Sequence, residues 1–270
     1  MNKTIKMNNL LKYVFLLIFG LFTTPTFSLS SDWSISDKSK VRLISPYSAN
    51  NNKNEIILGL EYQLDPGWKT YWKSPGGGGF PQNILWDDSS NISDLKIEWP
   101  QPIEFKILGL SSIGYKDNII FPLIINIKNF QQKTDINLNI NYLVCKHICI
   151  PGNANLYLEL PPGEGKFTDF FYDIEKVKSS TSTNNINLTP FNEFNVFAEH
   201  SSDDVYINID ISTDTYFDNP NIFIHTPFGL PVVKPNLNYS LDYKKIKSSF
   251  KFDKKEFDKN KFPIEVFFYD

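Results

Sequence analysis

An all-β fold built from antiparallel sandwiches is what this sequence predicts, and three observations carry the prediction. Apolar residues recur with period two over long stretches, Gly, Pro, Asn and Ser clusters separate those stretches, and helical periodicity is almost missing. Alternation of this kind presses one face of each strand against a core and leaves the other to solvent, as a two-layer sandwich requires.

The N-terminus reads as an export leader. Lys3, Lys6 and Lys12 precede the apolar run Tyr13 to Phe22, and Thr26-Phe27-Ser28 places cleavage after Ser28. That run is about ten residues, too short to span a bilayer, and no other stretch approaches ~20, so no membrane span is expected in the mature chain. The formal net charge of −3 becomes more negative once three lysines leave with the leader, and nucleic acid is excluded as a partner. Both methionines, Met1 and Met7, lie in the leader, which counts against a thioether-type copper(I) carrier.

Along the mature chain, Ile56, Leu58, Leu60, Tyr62 and Leu64 share one strand face. Gly67-Trp68-Lys69-Thr70-Tyr71-Trp72 follows, with aromatics that suit a core with an amphipathic rim or, in Tyr71 and Trp72, a partner-binding loop. The glycine run Gly76 to Gly79 lacks a following Gly-Lys-Ser/Thr and is expected to be a flexible loop, not a phosphate cradle. Ile136, Leu138, Ile140, Tyr142 and Val144 alternate with polar residues, and so do Leu156, Leu158 and Leu160, which predicts a hairpin. Pro161 to Gly165 marks a boundary, Phe167 to Lys178 is the best helix candidate, and Ser179 to Asn187 is linker-like. Strands resume at Val205, Ile207, Ile209 and Ile211, at Ile222 with Ile224, and at Ile264, Val266 and Phe268. The expected division is a leader at 1–28, a sandwich at 29–163, a linker with a short helix at 164–185, and a second, smaller sandwich at 186–270.

Cys145 and Cys149, the two cysteines of the chain, fall in the connection of the predicted hairpin. An exported chain can keep them as a disulfide, but two are too few for a disulfide framework. A loop this small contributes on the order of 2 kcal/mol before strain, a weak structural reason for the pair. Redox exchange is the stronger reason, because a hairpin tip exposes sulfur and Lys146 and His147 favour a thiolate. A metal site is the competing reading: in an extended segment Cys145, His147 and Cys149 project to one face and offer two sulfurs and an imidazole to zinc or copper(I). That reading makes the protein a non-catalytic binding module, a copper or zinc accessory or a docking partner in metal tolerance or cytochrome c maturation. No cofactor is otherwise implied, and no hydrolase constellation stands out.

Three motifs in order carry a family resemblance: Gly67-Trp-Lys-Thr-Tyr-Trp-Lys-Ser-Pro-Gly76, then Trp99-Pro100 with Phe105 to Tyr115, then Tyr142-Leu-Val-Cys-Lys-His-Ile-Cys-Ile-Pro-Gly152. Over about residues 40 to 162 the chain resembles the periplasmic N-terminal domain of DsbD-type thiol:disulfide interchange proteins, in their ScsB-like branch. The resemblance implies immunoglobulin-like sandwiches in the periplasm, with Cys145 and Cys149 as the exchanging pair. It further implies a thioredoxin-like or membrane protein as electron donor and oxidised periplasmic proteins as clients. An aromatic residue caps the disulfide in that family, and Phe105 or Leu108 occupies the corresponding stretch. Together with Pro151, the resemblance favours Cys149 as the attacking sulfur. The cysteine spacing is shorter than in the DsbD domain. The membrane conduit and thioredoxin-like domain of full-length relatives do not follow in this sequence, so the expectation is either work with separately encoded partners or a client-docking module that no longer turns over.

Overall fold

The structure is a computed structural model that describes residues 28–107, 109–181, 191–225, 235, 237–259 and 264–269. Residues 1–27 of the expected leader, residues 182–187 of the linker-like stretch and Leu108 lie outside the described residues.

Eleven strands come first: β1 (Ser34–Ser36), β2 (Ser39–Ile44), β3 (Glu55–Leu64), β4 (Lys69–Gly76), β5 (Asn83–Leu85), β6 (Ile92–Ile97), β7 (Ile103–Ile107), β8 (Leu110–Lys116), β9 (Asn118–Ile127), β10 (Thr134–Cys145) and β11 (Cys149–Leu160). Helix α1 (Phe171–Ser179) follows, then β12 (Phe191–His200), β13 (Asp204–Thr213), β14 (Asn221–His225), β15 (Asn238–Tyr239), β16 (Lys245–Asp253), α2 (Lys254–Lys259) and β17 (Glu265–Tyr269). Every pairing among them is antiparallel, so the fold is all-β as the alternation predicts.

The first sandwich packs the sheet β1-β2-β3-β9-β6 on the sheet β11-β10-β4-β8-β7, with β5 added to β10. Its core takes the inward positions of β3 (Leu58, Leu60, Tyr62) and β10 (Ile136, Ile140, Tyr142), all essentially inaccessible. Each such Leu or Ile contributes about 1.5–3 kcal/mol by leaving water. The ring of Tyr62 meets Phe121 and Tyr142 edge-on at 5.5 and 5.1 Å.

The helix begins four residues later than the periodicity predicts. Phe167 pairs with Tyr47 as an isolated β-bridge, and the Thr168 amide and hydroxyl donate to the Pro46 and Ser45 carbonyls. Those bonds hold 167–168 extended, and the helix starts only at Phe171, with Ile174 as its buried anchor.

In the second sandwich the sheet β12-β13-β16-β15 faces the two-stranded ribbon β14-β17. The ribbon serves two cores. Ile222, Ile224, Val266 and Phe268 pack with Ile207 and Ile209 of the second sandwich, whereas Phe223, Phe267 and Tyr269 pack into the first. Alternation along a strand sends neighbouring side chains to opposite faces, and here both faces are apolar because both are covered.

Candidate functional site

The β10–β11 hairpin runs twelve residues on each side, and its last registered pair is Cys145 with Cys149. A disulfide joins them, with Cα atoms 4.1 Å apart, and the turn Lys146-His147-Ile148 is closed by the Lys146 amide donating to the Ile148 carbonyl at 3.0 Å. The two sulfurs sit in different surroundings. Cys145 is fully buried, while Cys149 is exposed beside Ile148, itself 61% exposed. Pro151 lies on the edge strand β11 opposite Leu143. An edge tolerates a residue with no N–H.

Cys145 is buried because β4 lies beside it. Lys69 pairs with Cys145 across the two strands, and the Thr70 hydroxyl donates to the Leu143 carbonyl at 3.1 Å. The next residue reaches the sulfurs: the Tyr71 hydroxyl donates to Cys145 Sγ at 3.0 Å and lies 3.8 Å from Cys149 Sγ. Burial raises the Tyr71 pKa, so the phenol stays protonated and remains a donor at neutral pH. Tyr71, Phe105, Ile107, Leu143 and Cys145 form a small apolar cluster separate from the main core. Phe105 stands 5.9 Å from the Tyr71 ring, and Lys69 Nζ lies 5.6 Å from the Phe105 ring centre.

Two glycines shape this cluster. A Cβ on Gly79 would fall 2.2 Å from the Tyr71 ring, at a backbone φ of +90°, and one on Gly114 would fall 2.0 Å from the Thr70 carbonyl. The glycine run is therefore packed onto Tyr71 at Gly79, and Gly76 already belongs to β4. A Gly-rich segment read from sequence shows only freedom of the backbone, not the ring it must clear.

Of the candidate residues, the fold gathers Cys145, Cys149, Tyr71 and Phe105. Trp72 is fully buried on the opposite face of β4, which removes it from any partner-facing surface; the period-two geometry that aims Tyr71 at the disulfide aims Trp72 away. His147 is exposed in the turn, and Lys146 Nζ donates to the Pro66 carbonyl at 3.2 Å. Ile107, Leu143, Gly79 and Gly114 were not foreseen. Their signals are ordinary apolar and glycine positions until the strand pairing is known. Among the described residues no group of three or more His, Cys, Asp or Glu is arranged to hold a metal ion, and the two sulfurs of the metal reading are bonded to each other.

Residues 40–161 match the family model of the thiol:disulfide interchange protein DsbD, N-terminal. The matched stretch runs from β2 through β11 and so contains the disulfide and every residue of the cluster around it. The crystal structure of the N-terminal periplasmic domain of ScsB from Proteus mirabilis is similar in fold, at a TM-score of 0.65 and 23% identity over 85% of this chain and 87% of that chain. That likeness in fold extends well beyond residues 40–161. No curated protein matches the chain. No helix among the described residues is long and apolar enough to cross a membrane.

Proposed function

We propose that this protein is a periplasmic thiol:disulfide exchanger that takes electrons from a thioredoxin-like or membrane-bound reductase and passes them to oxidised client proteins through Cys145 and Cys149. The observation that carries the reading is the asymmetry of the pair: one sulfur is exposed to attack, the other is buried against a protonated phenol. The match to the DsbD N-terminal model supports thiol:disulfide interchange in general. The reading treats 29–163 as the exchanging domain, 164–185 as the connection and 186–270 as the second domain.

A partner thiolate attacks Sγ of Cys149 in line with the disulfide, the S–S bond breaks, and Cys145 leaves as a thiolate that accepts the Tyr71 hydrogen bond. The second thiol of the partner, deprotonated, then attacks its own sulfur in the mixed disulfide and releases Cys149. The partner is thereby oxidised to a disulfide, and this pair holds the two electrons, its sulfurs exchanging with solvent the protons that the partner thiols gave up. Delivery runs in reverse: the Cys149 thiolate attacks a client disulfide and Cys145 resolves the mixed disulfide, leaving a client dithiol. Phe105 shields the buried sulfur from adventitious thiols. The exposed apolar residues Phe80, Leu110 and Ile148 supply the rim on which a partner seats.

The test is the equilibrium of the pair with glutathione. A reduction potential of roughly −180 to −270 mV fits a working carrier, and one below about −300 mV marks an inert clip and ends this reading. Cys145→Ser should accumulate a client-linked mixed disulfide, and Cys149→Ser should accumulate none.

A further inference from the structure

The strand that carries Tyr71 is supported unevenly. β4 pairs with β8 at Lys69, Thr70 and Tyr71, then the register shifts until Gly76, and β10 meets β4 only at Lys69. Among the described residues Trp72, Lys73, Ser74 and Pro75 thus have no registered ladder partner, although they directly follow the residue that touches the disulfide.

The ribbon β14–β17 of the second sandwich grips this gap. The Trp72 ring meets Phe267 edge-on at 5.3 Å and Phe223 at 5.8 Å. Lys73 Nζ pairs with Glu265 at 2.5 Å and lies 4.0 Å from the Phe267 ring centre. Ser74 Oγ is 2.6 Å from His225 Nδ1, and the Tyr269 hydroxyl donates to the Trp99 carbonyl at 3.3 Å. Backbone conformation is shared between adjacent residues, so a displacement of Trp72 rotates the peptide that sets where the Tyr71 ring points.

We propose that the β14–β17 ribbon is a positioning element for exchange: Phe267 and Glu265, by holding Trp72 and Lys73, keep β4 where the Tyr71 hydroxyl reaches Cys145 Sγ. The proposal rests on the exchange reading for its purpose but predicts a coupling that can be measured without it. Donation from Tyr71 stabilises a sulfur that carries negative charge, so it favours the reduced pair. Losing it moves the equilibrium with glutathione toward the disulfide, by about threefold to tenfold for a hydrogen bond of ordinary net worth.

The experiment measures that equilibrium constant for the full chain as wild type, Tyr71→Phe, Phe267→Ala, Phe267→Leu, Glu265→Gln and the double variant Tyr71→Phe/Phe267→Ala. Phe267→Ala is expected to shift the constant in the same direction as Tyr71→Phe, Phe267→Leu to restore most of it, and the double variant to go no further than Tyr71→Phe alone. A folded Phe267→Ala with a wild-type constant, or a double variant whose effects add, overturns the proposal. Should Phe267→Ala not fold, Glu265→Gln decides: a smaller shift in the same direction supports the coupling and no shift overturns it. Absence of exchange between wild type and reduced thioredoxin would instead count against the exchange reading and leave the coupling standing.

Discussion

The two faces of β4 solve opposite problems. On one face Trp72 is wholly enclosed, between the main core of the first sandwich and the ribbon of the second. On the other, Tyr71 belongs to a cluster of five buried residues that ends at an exposed sulfur. The first face has many redundant contacts. The second has one hydrogen bond to Cys145, held by two glycine approaches and a phenyl ring. Stability is concentrated where contacts are redundant, and the exchange proposed for the pair falls where they are few, because a group that must change bonding partners cannot be over-determined by its packing.

The largest expected effect breaks the structural face. Trp72→Ala removes a buried ring of the first core, the one on which Phe223 and Phe267 of the ribbon pack, and should cost about 3–5 kcal/mol in denaturant unfolding. Next is Gly79→Ala on the reactive face, where a methyl group meets the Tyr71 ring and the backbone has positive φ. It should cost about 1–3 kcal/mol by overpacking. It should also lose the Tyr71 contact to sulfur, read as a changed pH dependence of Cys145 alkylation in the reduced protein. A destabilised Gly79→Ala that keeps the wild-type profile would show that the two faces do not differ as argued.

A pH scan sharpens the comparison with a smaller effect. His225 faces Lys73, Glu265 and the Ser74 hydroxyl, and burial, then the Lys73 charge, depress its pKa from 6.5 to about 4 against the opposing pull of Glu265. The unfolded chain therefore takes up this proton near pH 6.5 and the folded chain only near pH 4. The contribution of His225 to stability is complete above pH 6.5 and falls as pH drops toward 4. His225→Gln should flatten the loss of Tm over that window relative to wild type. Glu98 and Tyr269, which also face this interface, have raised pKa values from burial and remain in both proteins as the common background. The smallest effect is expected of His147→Ala: the side chain is exposed in the turn and bonds neither sulfur, so exchange rates with reduced thioredoxin should stay within about twofold. A large loss would revive the reading in which His147 joins the two cysteines as a ligand.

Much of this arrangement was legible without coordinates. Alternation at Ile56 to Leu64 and Ile136 to Val144 located β3 and β10, since period two is imposed by the strand itself. Alternation on either side of the cysteines located the hairpin whose tip they occupy. The helix start was misplaced because Phe167 and Thr168 carry helical spacing yet bond to Tyr47, Pro46 and Ser45, and long-range hydrogen bonds override a local period. Trp72 drew attention for its company in the Trp68 to Trp72 segment, and the same alternation, applied to β4, turns it away from the disulfide.

By itself the sequence determined an all-β chain with a closely spaced cysteine pair at a hairpin turn, because strand periodicity, turn residues and cysteine spacing are local properties. Only the tertiary structure decided that Cys145 is buried and Cys149 open, that Tyr71 lies 74 positions from the sulfur it serves, that Gly79 is packed rather than loose, and that one ribbon belongs to two cores. Those outcomes depend on which strands become neighbours, and strand neighbours are chosen by the burial of the whole core, a sum over contacts that no single segment contains.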